Sequence, residues 1–114
     1  MTKGKNTIQR IPKLRYAHEQ FSNAMYSLTG AGPQRERLIN AYINSIIHIR
    51  EENVPEIAEE LAELKKKLTH VPPRGIEGSV QATVNAMSDS DVATIIEDII
   101  DLYEKIAAEW GSID

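Results

Sequence analysis

The spacing of apolar residues between a few clusters of proline and glycine most constrains the fold of this chain. The clusters stand at residues 11–12, 30–33, 54–55 and 71–78. Between them apolar residues recur every three or four positions, which is the spacing of one face of an α-helix. No segment alternates with period two over the length of a strand. The pattern therefore predicts an all-α protein.

The apolar spacing predicts four main helices and one short helix. A length of 114 residues suits one domain with one core. Because the connections are short and each helix has one dominant apolar face, we expect a single-domain antiparallel helical bundle over residues 12–114. The predicted helices run over residues 12–28, 33–52, 54–68, 79–87 and 88–110.

Local signals predict how several of these helices begin and end. Asn53 and Ser88 are each followed three residues later by an acid, the pattern of a capping residue at a helix N-terminus. Gly30 and Gly32 permit a tight turn between the first two helices. The second helix carries apolar residues over about half of its circumference, so we expect it to be the most buried.

Charge is divided unevenly along the chain. The formal net charge is −4, yet residues 1–15 hold five lysines and arginines and no acid. From Gly75 onward, nine acids stand against the single basic residue Lys105. We expect residues 1–11 to form a basic, flexible N-terminal arm. Nucleic-acid binding through this arm is the weakest functional alternative, because an acidic body repels phosphate backbones.

Composition excludes several classes of site. With no cysteine, the chain cannot form a disulfide scaffold, a thiolate metal site or a cysteine nucleophile. No apolar run reaches the length of a signal peptide or a membrane span, so the expected location is the cytoplasm, away from membranes. We find neither a phosphate-binding glycine loop nor a nucleophile elbow.

Two groups of acids supply the one enzymatic pattern in the sequence. Glu59, Glu60 and Glu63 form an EExxE motif on the predicted third helix, and Asp98 and Asp101 lie three residues apart on the last. This arrangement resembles the all-α nucleotide pyrophosphohydrolases of the MazG-like family, whose EExxE and ExxD motifs hold magnesium ions. The resemblance implies a magnesium-dependent nucleotide pyrophosphohydrolase in which these five carboxylates are the metal ligands.

The chain departs from the pattern of that family in ways that favour another interpretation. Asp98 replaces the first glutamate of ExxD, and the interval between the motifs contains an additional short helix. A helical wheel also places the acids behind the apolar faces, so we expect them to point toward solvent. We therefore predict no catalytic residue, metal or cofactor, and magnesium enters only under the pyrophosphohydrolase alternative.

Surface recognition is the remaining function class. Tyr16 and Tyr26 fall outside the apolar arc of the first helix, where tyrosines commonly anchor protein interfaces, although packing on neighbouring helices is the alternative. Arg37, Asn44 and His48 lie on a narrow polar stripe of the second helix and form a second candidate surface. We interpret the chain as a small non-enzymatic interaction or regulatory protein that binds a protein partner or forms a homodimer.

Overall fold

A computed structural model describes residues 2–73 and 78–113, with side chains from residue 10 onward. Over this part of the chain the protein is an all-α single domain, as predicted. Three short 3-10 turns, at Ile46–His48, Glu51–Asn53 and Pro55–Ile57, connect the second helix to the third. The α-helices are α1 (Thr2–Leu28), α2 (Gln34–Asn44), α3 (Ala58–Thr69), α4 (Ser79–Ala86) and α5 (Asp89–Gly111).

Helix α1 begins ten residues earlier than predicted. It starts at Thr2 and continues through Pro12, so the expected start at Pro12 and the expected break before it are wrong. Proline fixes a backbone φ close to the helical value, and a helix can continue through it with the loss of one hydrogen bond. Arg10 anchors this part of α1 through ion pairs to Glu56 and, at 2.6 Å, to Glu109 near the end of α5.

Helix α2 is shorter than predicted because it ends at Asn44 rather than Glu52. Ser45 leaves the helical region with φ −135° and ψ −67°, and it is followed by the β-branched Ile46 and Ile47, which have low helix propensity. Lys65 of α3 donates a hydrogen bond of 2.6 Å to the Ile49 carbonyl, and so holds the 3-10 segment against α3.

Of the three local helix signals, those at Ser88 and Gly32 are confirmed and the one at Asn53 is wrong. The Ser88 hydroxyl accepts a hydrogen bond of 3.0 Å from the Asp91 amide and caps α5 as expected. Gly32 has φ +102° and makes the turn between α1 and α2. Asn53, however, lies inside a 3-10 turn, and α3 begins at Ala58 without a side-chain cap.

The helices pack as a closed ring around one aliphatic core. Helix α1 packs against α2 and α5, α5 packs against α3, and α4 completes the ring between α3 and α2. Arg35 of α2 ties the ring together where α4 meets α5, because it donates hydrogen bonds to the Val84 carbonyl at 2.5 Å and to Asp89 at 2.8 Å. Helices α2 and α5 also contact each other, so these two helices have three helical neighbours each.

The predicted apolar faces form the core, with a shift on α5. The α1 residues Leu14, Ala17, Phe21, Ala24 and Leu28 are buried as expected. On α5 the buried row lies to one side of the predicted centre and consists of Val92, Ile95, Ile99, Leu102 and Ile106. Apolar spacing in the sequence predicts Ile96, Tyr103 and Trp110 at the centre of the α5 face, and they are instead half-buried against the edge of the core.

The cap at Ser88 gives a direct test of the local structure. Replacing Ser88 with Ala leaves the Asp91 amide without its side-chain acceptor, so we expect the free energy of unfolding to fall by about 1 kcal/mol in urea denaturation. Ser90→Ala removes an exposed hydroxyl in the same turn and is expected to stay within about 0.5 kcal/mol of wild type. Equal losses in the two variants would contradict a capping role.

Candidate functional site

The groove between α3 and α5 brings together all five acids of the EExxE-like pattern. Glu59, Glu60 and Glu63 line it from α3, and Asp98 and Asp101 line it from α5, around a cavity of about 350 Å³. Except for Asp98, which is half-buried, these side chains are exposed, as the helical wheel predicts. The MazG-like resemblance implies that the two groups of acids meet, whereas the helical wheel predicts only that they point toward solvent.

Two lysines that the sequence analysis did not select lie among these acids. The Lys105 ammonium donates a hydrogen bond of 2.7 Å to Glu60, and Lys67 forms an ion pair of 3.6 Å with Asp98. Both pairs join α3 to α5, and their order along the two helices shows that the helices are antiparallel. The hydrogen bond from Lys105 lowers the pKa of Glu60 and raises the pKa of Lys105 above its usual value.

The groove does not fit the magnesium site that the MazG-like resemblance implies. Magnesium requires several oxygen ligands in near-octahedral geometry, and such a site needs carboxylates that converge on one point. Among the described residues, no group of three or more acidic, histidine or cysteine side chains could hold a metal ion. The carboxylates of Glu60 and Asp98 also form ion pairs with the ammonium groups of Lys105 and Lys67, respectively.

The two tyrosines of the predicted interaction surface lie on the outside of α1. Tyr26 is 78% exposed and Tyr16 is 43% exposed, so neither is covered by a neighbouring helix in the way the alternative interpretation expected. Ten residues along a helix correspond to about 15 Å and a rotation of about 80°. The two rings therefore belong to one side of the molecule but point in different directions.

The second candidate surface is divided in the structure. Asn44 ends α2 and His48 lies in the following 3-10 turn, and both are exposed. Arg37 is half-buried and donates a hydrogen bond of 3.0 Å to the Leu28 carbonyl at the end of α1. Its guanidinium group thus holds α1 to α2, and of this stripe Asn44 and His48 are the side chains that face solvent.

An aromatic cluster between α1 and α5 was not identified from the sequence. The His18 ring stacks on Tyr103 at 6.0 Å and on Trp110 at 6.1 Å between ring centres. The Arg15 guanidinium lies 5.9 Å from the centre of the Trp110 ring, within the range of a cation–π contact. Arg15 reaches Trp110 while His18, further along α1, also reaches Tyr103, which comes earlier in α5, so the two helices are antiparallel.

Most side chains of the basic N-terminal segment lie outside the described part of the structure. The side chains of residues 2–9, on which the nucleic-acid hypothesis mostly depends, lie outside the described part of the structure, as do residues 74–77 of the predicted linker. Among the helices that are described, none has the length and apolar character needed to cross a membrane.

Comparison of the chain with protein-family models, with curated proteins and with solved structures gave no match. Any functional conclusion therefore depends on the residues and surfaces of this chain.

Because two carboxylates of the groove are paired with lysines, we expect magnesium to have little effect on the stability of the protein. We expect millimolar MgCl₂, with or without a nucleoside triphosphate, to leave the melting temperature unchanged, because a ligand stabilises a fold only when it binds the folded state. Matched titration of a Glu60→Gln, Asp98→Asn variant provides the control. A magnesium-dependent stabilisation of wild type that this variant lacks, together with release of pyrophosphate, would instead support the pyrophosphohydrolase alternative.

Proposed function

We propose that the protein is a small non-enzymatic interaction or regulatory protein that binds a protein partner, or a second copy of itself, through its helix surfaces. The observation that supports this proposal is the position of its large hydrophobic side chains. The helices bury a largely aliphatic core, and among the side chains that the structure describes five large hydrophobic ones remain exposed: Tyr16, Tyr26, Ile43, Ile47 and Ile100.

These side chains occur on helical elements rather than on loose connections. The two tyrosines lie on α1, Ile43 lies on α2, and Ile100 lies on α5. The backbone of a packed helix is already ordered, so binding at these positions costs the conformational entropy of the side chains alone. Each Å² of apolar surface removed from water contributes about 25 cal/mol.

The tyrosines suit this role more than any other residue of the set. A tyrosine combines a large apolar ring with a hydroxyl that can hydrogen-bond at the rim of an interface, and it has few rotatable bonds to fix. Asn44 and His48 add exposed polar groups beyond the end of α2. Such a combination of aromatic anchors and polar rim is typical of protein-binding surfaces.

A second candidate function is the magnesium-dependent nucleotide pyrophosphohydrolase. The observation in its favour is that all five carboxylates line one groove between α3 and α5. The lysine pairs within that groove favour the non-enzymatic proposal over it.

The proposal is tested by comparing what wild type and surface variants capture from a lysate of the source cell. The double change Tyr16→Ala, Tyr26→Ala removes two exposed rings without touching the core, so we expect at least about a tenfold loss of specifically captured protein. Glu52→Ala, at another exposed position, is the control and is expected to capture as wild type does.

Quantitative mass spectrometry of the captured protein gives the readout, and circular dichroism checks that each variant remains helical. Identical capture by wild type, the tyrosine variant and the control would contradict a role for the tyrosine surface.

A further inference from the structure

The groove between α3 and α5 continues past the five acids of the EExxE-like pattern. A second cavity, of about 280 Å³, adjoins the first, and Lys67 lines both of them. It is bounded by His70 after the end of α3, by Met87 after the end of α4, and by Asp91 and Ile95 on α5. The two cavities form one depression, which we call the α3–α5 groove.

The length of the α3–α5 groove matches about three to four turns of a helix. Its lining residues fall at spacings of three and four, so they occupy one face of each helix. They extend from Glu59 to His70 along α3 and from Asp91 to Lys105 along α5, which corresponds to about 17 Å and about 21 Å. A partner helix of about 14 residues has this length.

The floor of the α3–α5 groove is apolar and shallow. Leu64, Ile95 and Leu102 line it and are almost wholly buried in the core, and Met87 is half-buried beside them. The aliphatic stem of a lysine or an arginine can lie along such a surface while its charged end stays at the rim. The floor therefore favours long cationic side chains over bulky apolar ones.

The rims of the α3–α5 groove carry an excess of negative charge. Six carboxylates line the two cavities, against two lysines, and each lysine already pairs with one carboxylate. Four carboxylates form no ion pair within the described part of the chain: Glu59, Glu63, Asp91 and Asp101. A ligand of complementary charge is therefore a cation.

The two lysines of the chain show how this groove holds a cation. Each reaches from its own helix to a carboxylate on the other, Lys105 to Glu60 at 2.7 Å and Lys67 to Asp98 at 3.6 Å. Along α3 these two pairs are about 10 Å apart. Glu63 on α3 and Asp101 on α5 lie between them in sequence, so the middle of the groove has a carboxylate on each rim that pairs with no described cation.

From this charge complementarity over an apolar floor we infer that the α3–α5 groove binds a basic helical segment of a protein partner. The segment lies along the groove, as an amphipathic helix does between two others. Its lysine or arginine stems rest on Leu64 and Leu102, and their charged ends reach Glu63 and Asp101. The same carboxylates repel an acidic segment or a nucleic acid. This inference rests on the proposed function and names the chemistry of the partner.

Fluorescence anisotropy with a synthetic peptide tests the inference. The probe is a labelled peptide of about 14 residues that carries leucines on one helical face and lysines along both borders of that face. We expect wild type to bind it at least about tenfold more tightly than a scrambled peptide of the same composition, because scrambling removes the face that fits the groove. Added salt should weaken the binding.

Two double variants with the same change of charge locate the binding site. Glu63→Gln with Asp101→Asn removes the two unpaired carboxylates from the middle of the groove and should raise the dissociation constant at least about tenfold. Glu97→Gln with Glu104→Gln is the matched control, because both acids are exposed on α5 outside the lining of the groove, and it should stay within about twofold of wild type. Circular dichroism checks that each variant remains helical.

Three results would overturn the inference. Equal weakening by the two double variants would show that the peptide is attracted to the acidic surface as a whole. Equal affinity of wild type for the amphipathic and the scrambled peptide would show that the groove does not select a helix. Sedimentation of wild type as a dimer that only the groove variant disrupts would make a second copy of the chain the occupant.

The outcomes for the groove and for the proposed function can be told apart. If both double variants bind the peptide equally while the tyrosine variant loses captured protein, the groove inference is wrong and the interaction function stands. If peptide binding is insensitive to the groove and capture is also insensitive to the tyrosines, both are wrong.

Discussion

The fold depends on the burial of one apolar row along α1. Helices α2, α3 and α4 have only 11, 12 and 8 residues, lengths at which an isolated helix is marginal in water. Helix α2 packs against the long helices α1 and α5, α3 packs against α5, and α4 packs against α2 and α3, so each short helix is stabilised by its neighbours. Phe21, the largest buried side chain, lies in the middle of the α1 row and is fully buried, as is the adjacent Ala24.

The same geometry determines what remains on the surface. Because the ring of helices closes around the α1 row, apolar residues that point away from it have no partner within the chain. On α5 the core takes the side that carries Ile95 and Leu102, and it leaves Ile96, Tyr103 and Trp110 at the edge beside α1. The half-buried position of these three side chains is therefore a consequence of how the core is filled.

Helix periodicity and capping residues predicted much of this fold. The buried row of α1, the cap at Ser88 and the turn at Gly32 depend on residues close together in the sequence, and the sequence contains their signals. The early end of α2 could not be predicted in this way. It is stabilised by Lys65, which lies 16 residues after Ile49 and reaches its carbonyl only once α3 has packed.

Long-range contacts also explain what the sequence missed at the candidate site. The wheel predicted that the acids of α3 and α5 are exposed, but the separation of Glu60 from Lys105 in sequence concealed that each helix supplies a cation to the other. Tyr16 and Tyr26 could be selected from the sequence because the periodicity of α1 alone places them outside its apolar arc. The stacking of His18 on Tyr103 of α5 requires α1 and α5 to be neighbours, and the spacing of residues within one helix does not predict which helices pack together.

The central claim is that apolar surface left outside a complete core is used for association rather than for folding. Urea unfolding of the Tyr16→Ala, Tyr26→Ala variant, measured beside its capture of protein, tests it most directly, because both rings are exposed. The account predicts a free energy of unfolding within about 1 kcal/mol of wild type and at least about a tenfold loss of captured protein. A much lower free energy of unfolding with unchanged capture would show that the rings serve the core and would contradict the claim.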